Sequence, residues 1–309
     1  MVTVTNLVKR YGDLVALDHL NLQIDEGEIY GLLGPNGSGK TTAINCMLAL
    51  LKYNKGEIRI MGKPMRPDSY DIKKNIGVVM QNVAVFEQMS VWENIDYFCG
   101  LYVDDRKRRR ELVEEAIRFV ELDGYRKMRP RKLSGGLLRR LNIACGIVHR
   151  PRLVIMDEPT VAVDPQSRNK ILEGIQELNR QGTTVLYTSH YMEEVEQICT
   201  RISIMDHGRV LASGTKEELK GMIKTGETIT IEAIVLNDTQ ISELKMLPHV
   251  FQVSYQEQVL RICLGGAQHN LVRVLRYLEE REISFGRVFA ELPTLNDVFL
   301  EITGKALRD

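Results

Sequence analysis

The sequence has 309 residues, of which 44% are hydrophobic and 27% charged, and its 41 Lys+Arg against 41 Asp+Glu leave a formal net charge of zero. At roughly 100–200 residues per domain, this length predicts two domains or one large domain with an appendage. The composition excludes a disordered, collagen-like or disulfide-scaffold chain, and the neutral balance supplies no overall pull toward nucleic acid or an anionic membrane surface.

The densest apolar stretch, Cys46 to Leu51, falls short of the roughly 18 consecutive apolar residues that a membrane-spanning helix needs. The N-terminal MVTVTNLVKR has no apolar h-region behind its charges, so no secretory signal is expected. Five scattered cysteines (Cys46, Cys99, Cys145, Cys199, Cys263) without a CxxC pair read as reduced thiols that fill the core.

Taken in chain order, Val2 to Lys9 and Leu20 to Ile24 alternate apolar and polar residues, the period of half-buried strands, and lead into a Glu26-Gly27-Glu28 turn. An apolar run from Ile29 to Leu33, a glycine-rich loop, and helical spacing from Lys40 to Leu51 read as strand, loop and helix. Ser90 to Leu122 and Leu137 to Val148 have helical periodicity; the basic run Arg106 to Arg110 reads as a solvated helix face, with a patch for a partner or lipid headgroups as the alternative. Leu153 to Met156 and Thr184 to Thr188 are short buried strands that end in Asp157-Glu158 and Ser189-His190. Such strands alternating with helices predict an α/β fold with a mainly parallel sheet covered on both faces. From residue 226 onward the pattern becomes strand (Thr228–Val235), helix (Asp238–Leu247), strand (Phe251–Gln256), strand (Val259–Leu264), helix (His269–Arg281), strand (Ile283–Ala290) and a last helix (Leu295–Thr303). This β-α-β-β-α-β order predicts a small ferredoxin-like α+β domain over 226–309, behind a larger domain over 1–225 with a helical subdomain at about 88–150.

Three motifs carry chemistry. Gly34-Pro35-Asn36-Gly37-Ser38-Gly39-Lys40-Thr41 satisfies G-x-x-x-x-G-K-[ST] between a strand and a helix. In that setting backbone N–H groups cradle phosphates, Lys40 reaches the β- and γ-phosphates, and the Thr41 hydroxyl is a Mg²⁺ ligand. Leu153 to Glu158 is an apolar strand delivering two carboxylates to its C-terminal end: Asp157 suits the Mg²⁺ side, and Glu158 suits a base acting on the water that attacks the γ-phosphate. Leu133-Ser134-Gly135-Gly136 precedes a helix rich in Arg139, Arg140 and apolar residues, making a second helix-start anion site with Ser134 as a candidate N-cap.

Together these residues resemble the ATP-binding cassette (ABC) transporter ATPases, a P-loop NTPase family, over residues 1–220. The resemblance implies that Tyr11 stacks on adenine; that Gly34, Pro35, Asn36, Gly37, Ser38, Gly39, Lys40, Thr41 and Thr42 bind ATP; and that Gln81 touches Mg²⁺ and the membrane partner. It further implies that Ser134, Gly135 and Gly136 form the family signature, that Thr41, Gln81 and Asp157 hold Mg²⁺, that Glu158 is the base, and that Asp164 lies at a dimer interface. His190 would sense the γ-phosphate. In the family two cassettes stack head to tail, so each ATP would lie between one phosphate loop and the other subunit's signature. With one phosphate loop and no spanning segment, the second cassette and the membrane permease subunits are expected as separate chains, coupled through Gln81 and Asn82 to Asp105, including Trp92 and Tyr97. The chain would then sit peripherally on the cytoplasmic face of the membrane, with no nucleic-acid partner.

The sequence departs from the family pattern in two places: Leu137 follows the signature in place of Gln or Met, and Ala162-Val163 replace Gly-Leu, where an Ala takes φ > 0 less cheaply than Gly. The wording IYGLLGPNGSGKTT and LSGGLLRRL, with the ending PTLNDVFLEITG (293–304), resembles bacterial exporters of drugs, antibiotics and polysaccharides. The alternatives are a soluble ABC ATPase acting on ribosomes or DNA, or an importer ATPase. The terminal domain is expected to be structural or dimerising.

Overall fold

The computed structural model describes residues 1–223, 226–233, 235–265 and 270–303. The expectations at Thr225, Ile234, His269 and from Gly304 on lie outside the described residues. The chain divides into two compact units between Thr215 and Lys216, ahead of the 225/226 boundary expected from sequence.

In the first unit β1 (Val2–Tyr11) and β2 (Leu14–Ile24) form an antiparallel hairpin, β3 (Ile29–Leu33) is buried at every position, and the glycine loop leads into α1 (Lys40–Met47). The helix stops short of the expected Leu51, with Leu48 outside helical geometry and Ala49 at φ 53°. β4 (Lys55–Ile60) and β5 (Lys63–Pro64) return to the hairpin, making a four-stranded sheet in the order β2-β1-β4-β5. After α2 (Tyr70–Lys73) and β6 (Ile76–Val79), the expected Ser90–Leu122 helix is two helices, α3 (Val91–Gly100) and α4 (Arg106–Phe119). Asp105 restarts the second by accepting the Arg108 N–H at 2.7 Å, and the basic run forms its first turns, with Arg109 paired to Asp96 at 2.8 Å. Next come α5 (Gly135–Ile147), β7 (Leu153–Asp157), α6 (Pro165–Arg180), β8 (Thr184–Ser189), α7 (Met192–Ile198), β9 (Arg201–Asp206) and β10 (Arg209–Gly214).

The central sheet runs β10-β9-β3-β8-β7-β6 and is parallel except at β10. Its middle strands β3, β8 and β7 are adjacent and end level, Leu33 beside Ser189 and Thr188 beside Asp157. The phosphate loop, His190 and Glu158 therefore leave the sheet along one edge, the C-terminal edge where ligands bind in open α/β sheets.

The second unit holds α8 (Lys216–Gly221), β11 (Glu227–Ala233), α9 (Asp238–Lys245), β12 (Val250–Gln256), β13 (Val259–Leu264), α10 (Asn270–Glu280), β14 (Phe285–Glu291) and α11 (Leu295–Thr303). Its sheet order is β12-β13-β11-β14, antiparallel throughout, with Ile229, Ile231, Leu260 and Ile262 buried against Leu244, Val274 and Leu278 of the helices. Numbered within the unit, that order is 2-3-1-4. The five cysteines are free thiols, four of them buried.

Candidate nucleotide-binding site

Every residue of the site hangs on a strand end or a helix start. α1 begins at Gly39, whose φ of 108° no L side chain adopts cheaply, and no side chain caps the helix. α3, α4, α5 and α6 all have side-chain caps, so α1 alone of these keeps its first amides open to an anion. Gly34 is required for a second reason: a Cβ there would lie 2.2 Å from the Met205 carbonyl oxygen, so only glycine lets the loop pass over β9. Ser38 is buried, its N–H bonded to the Pro35 carbonyl and its own carbonyl accepting from Gly208.

Lys40 is 5% exposed; its Nζ donates to the carbonyls of Gly34 (2.7 Å) and Pro35 (3.1 Å) and lies 3.3 Å from Glu158 Oε1. Burial lowers its pKa, opposed by the Glu158 carboxylate. Glu158 is itself 6% exposed, with a left-handed φ of 47° just past the strand end. Its N–H donates to Thr188, the Gln81 Nε2 donates to its Oε2 at 3.2 Å, and His190 Nδ1 stands 3.4 Å from Oε1, near but not hydrogen-bonded. One carboxylate thus faces a lysine, a glutamine and a histidine brought in from three other segments.

Asp157, 1% exposed, accepts from Thr41 Oγ1 at 2.8 Å and from Thr188 Oγ1 at 2.6 Å. A hydroxyl and a carboxylate in contact are the hard-oxygen donor set that Mg²⁺ takes alongside phosphate oxygens and water.

An open cleft of about 410 Å³ is lined by Tyr11, Leu14, Val15 and Ala16 on one side and by Asn36, Gly37, Gly39, Lys40, Thr41 and Thr42 on the other, with Gln81, Glu158, His207 and Gly208. Tyr11 is half-exposed, with Lys9 Nζ 4.6 Å from its ring centroid. Asp157 and His190 join this group through Thr41 and Glu158.

Ser134, Gly135, Gly136 and Asp164 do not line the cleft; they stand at the starts of α5 and α6, where a Cβ on Gly136 would lie 3.2 Å from Asp164 Oδ2. Ser134 caps α5, accepting the Leu137 N–H at 3.3 Å, and Asp164 caps α6, accepting the Ser167 N–H at 2.9 Å. A Cβ on Gly136 would lie 2.2 Å from Ser167 Oγ, so this glycine allows the two helix starts to touch. Ala162 takes the positive φ of 59° that its Gly-like position asks for.

Four residues with no motif of their own hold the site together. Thr188 braces Asp157 and Glu158; Arg139, buried on α5, donates to the carbonyls of Met80 (3.1 Å) and Gln81 (2.8 Å); Asn142 accepts the Ala84 N–H at 3.0 Å. The fourth, Glu194, is buried beside Ser189. Of these the sequence signals only Arg139, in the double Arg after the signature, and gives it no partner.

The ABC transporter family model matches residues 17–161. The chain is 35% identical, over 100% of both sequences, to the linearmycin resistance ATP-binding protein LnrL of Bacillus subtilis. It is 34% identical to the daunorubicin resistance ATP-binding protein DrrA3 of Streptomyces coeruleorubidus (98% of this chain, 96% of that one), and 31% identical to the Nod factor export ATP-binding protein I of Sinorhizobium fredii (100% and 87%). Among solved structures, the ATP-binding cassette MJ0796, a dimer in a post-hydrolysis state bound to ADP and Pi, superimposes with a TM-score of 0.64 at 28% identity, covering 70% of this chain and 98% of its own. Site, fold and relatives agree: the chain belongs to the ABC transporter family, as one of its ATP-binding, ATP-hydrolysing subunits.

Proposed function

We propose that this subunit powers an exporter of a drug, antibiotic or similar compound, working from the cytoplasmic face of the membrane with separate permease chains. The observation that carries the catalytic part is the Glu158 carboxylate at the end of β7, set among Lys40, Gln81 and His190. In this reading Tyr11 stacks on adenine, and the 34–42 loop with the start of α1 binds the phosphates, which replace Glu158 as the counter-charge of Lys40. Glu158 then takes the proton of the attacking water, and His190 contacts the γ-phosphate. Thr41, Asp157 and the amide oxygen of Gln81 are the residues that would hold Mg²⁺, whose chemistry is to neutralise charge on the β- and γ-phosphates.

Ser134 to Gly136 and Asp164 lie outside the cleft, as residues that serve the ATP of a second cassette should. The partner cassette supplies the same group in return, so ATP joins the pair and hydrolysis releases it. Permease chains dock on the surface beyond Gln81, where Phe86, Tyr97 and Leu101 are exposed and the rings of Phe86 and Tyr97 pack edge to face at 4.9 Å. Among the described residues no helix is long and apolar enough to cross a membrane. Relatives named for linearmycin resistance, daunorubicin resistance and Nod factor export support export over import or action on ribosomes or DNA. The ferredoxin-like unit is read as a structural or dimerising accessory.

The test is Glu158→Gln. Loss of a general base costs about 10²–10⁴-fold in rate, so steady-state hydrolysis should fall by at least about 100-fold while ATP traps a dimer visible by size-exclusion chromatography. Retained hydrolysis refutes the mechanism. Recovery from solubilised membranes with ribosomes or nucleic acid, and not with a multi-spanning protein, refutes the exporter.

A further inference from the structure

Behind the Glu158 cleft, a single buried carboxylate ties together the segments that carry the site. Glu194, on the first turn of α7, is 3% exposed. Its Oε2 accepts three hydroxyls: Thr160 Oγ1 at 2.8 Å, Tyr187 OH at 2.7 Å and Ser189 Oγ at 3.0 Å. Arg168 Nε lies 3.2 Å from its Oε1, an ion pair with the N–H pointing off the line of the oxygen. A carboxylate out of water persists only where such partners replace its hydration, so these groups hold one another in a single arrangement.

The partners come from separate parts of the site. Thr160 follows Glu158 by two residues; Ser189 precedes His190, and its Oγ also accepts the Tyr191 N–H at 2.9 Å. Arg168 is on α6, the helix that Asp164 caps and whose Ser167 meets Gly136 of the signature. The guanidinium carbon of Arg168 is 4.9 Å from the centroid of the Tyr191 ring, which packs 4.1 Å from the His190 ring, and His190 in turn stands 3.4 Å from Glu158.

We propose that Glu194 is a positioning residue for ATP hydrolysis: with Arg168 and Tyr191 it sets the His190 ring against Glu158 and registers both on the first turn of α6. It touches no reacting atom and acts through His190. Because α6 begins at Asp164 and abuts the signature helix, movement of α6 on closure with a second cassette is delivered to His190 through Arg168 and Tyr191. The proposal rests on the roles assigned above to Glu158, His190 and Asp164.

The experiment measures kcat, KM and nucleotide affinity of the full chain for Glu194→Gln, Arg168→Gln, His190→Ala and the double variants with His190→Ala. Single-turnover hydrolysis reads the slowest of them, and thermal melting checks the fold. Misplacing a catalytic group costs on the order of 10–100-fold, so kcat of Glu194→Gln should fall by about that much, with KM and affinity within about three-fold. In the His190→Ala background the same substitution should cost less than about two-fold more, because the ring it positions is gone. A kcat within two-fold of the wild type, or losses that multiply in the double variant, overturns the proposal. If Glu194→Gln fails to fold, Arg168→Gln, at a partly exposed side chain, answers the same question by the same criteria. Glu158→Gln separates the two levels: activity retained there removes the reading beneath this one, whereas activity lost there and kept in Glu194→Gln overturns only this inference.

Discussion

Acidification should weaken the first unit through one histidine. The His149 ring stacks on Tyr102 at 3.9 Å and 8°, its Nε2 lies 3.3 Å from the Ile76 carbonyl oxygen, and its Nδ1 is buried without a hydrogen-bond partner. Burial lowers its pKa from 6.5 to about 4, opposed by the hydrogen bond to the Ile76 carbonyl. Between those values the unfolded chain binds a proton that the folded chain does not, so the stabilisation is complete above pH 6.5 and is lost as pH falls toward 4. A gap of about 2.5 units at about 1.36 kcal/mol each sets a ceiling of about 3 kcal/mol. His149→Phe keeps a ring against Tyr102 and cannot be protonated. Urea unfolding can be followed by Trp92, the sole tryptophan, which sits on α3 in the same unit. Between pH 7.5 and pH 4.5 the wild type should lose about 2–3 kcal/mol more than the variant. Equal losses in the two proteins, or a smaller loss in the wild type, would refute the reasoning.

Substitutions at two further positions, Gly136 and Ala162, probe the start of α5 and the loop before α6. Gly136→Ala puts a methyl 2.2 Å from Ser167 Oγ and 2.6 Å from its Cβ; it should cost about 1–3 kcal/mol by overpacking, read by urea unfolding, with recovery of at least half when Ser167→Gly is added. At Ala162, φ 59° costs an L residue about 1–2 kcal/mol. Ala162→Gly should therefore change stability by less than about 1 kcal/mol, after the added entropy of the unfolded chain. The β-branched Ala162→Val should destabilise clearly; the reverse ranking in thermal melts would show that this loop carries no such constraint.

Much of the site is legible in the sequence because it is written in contiguous residues. The 34–41 loop, Asp157-Glu158 after an apolar strand, and Ser134 before a helix each depend on backbone conformation and a neighbour a few positions away, which spacing encodes directly. The β-α-β-β-α-β order of elements in the second unit is legible for the same reason, since they alternate cleanly in period. Element ends are less so: the break between α3 and α4 is signalled only by Asp105, a capping residue masked by the basic run that follows it. β4 and β10 leave little trace in the periodicity because they are half-exposed, and β6 because it is four residues long; pairing with β1, β9 and β7 makes them strands, as pairing with β3 does for β9.

The sequence alone therefore determined where a phosphate-loop pattern stands between a strand and a helix and which carboxylates stand at a strand end, because those demands are local. The tertiary structure decided how they are held. Glu158 meets Gln81 across 77 positions, Arg139 reaches the Gln81 carbonyl across 58, and Glu194 reaches Thr160 across 34. No periodicity in the chain records such contacts. They exist because β3, β8, β7 and β6 lie side by side, with α5 packed on β6, so segments far apart in sequence gather along one edge of the sheet.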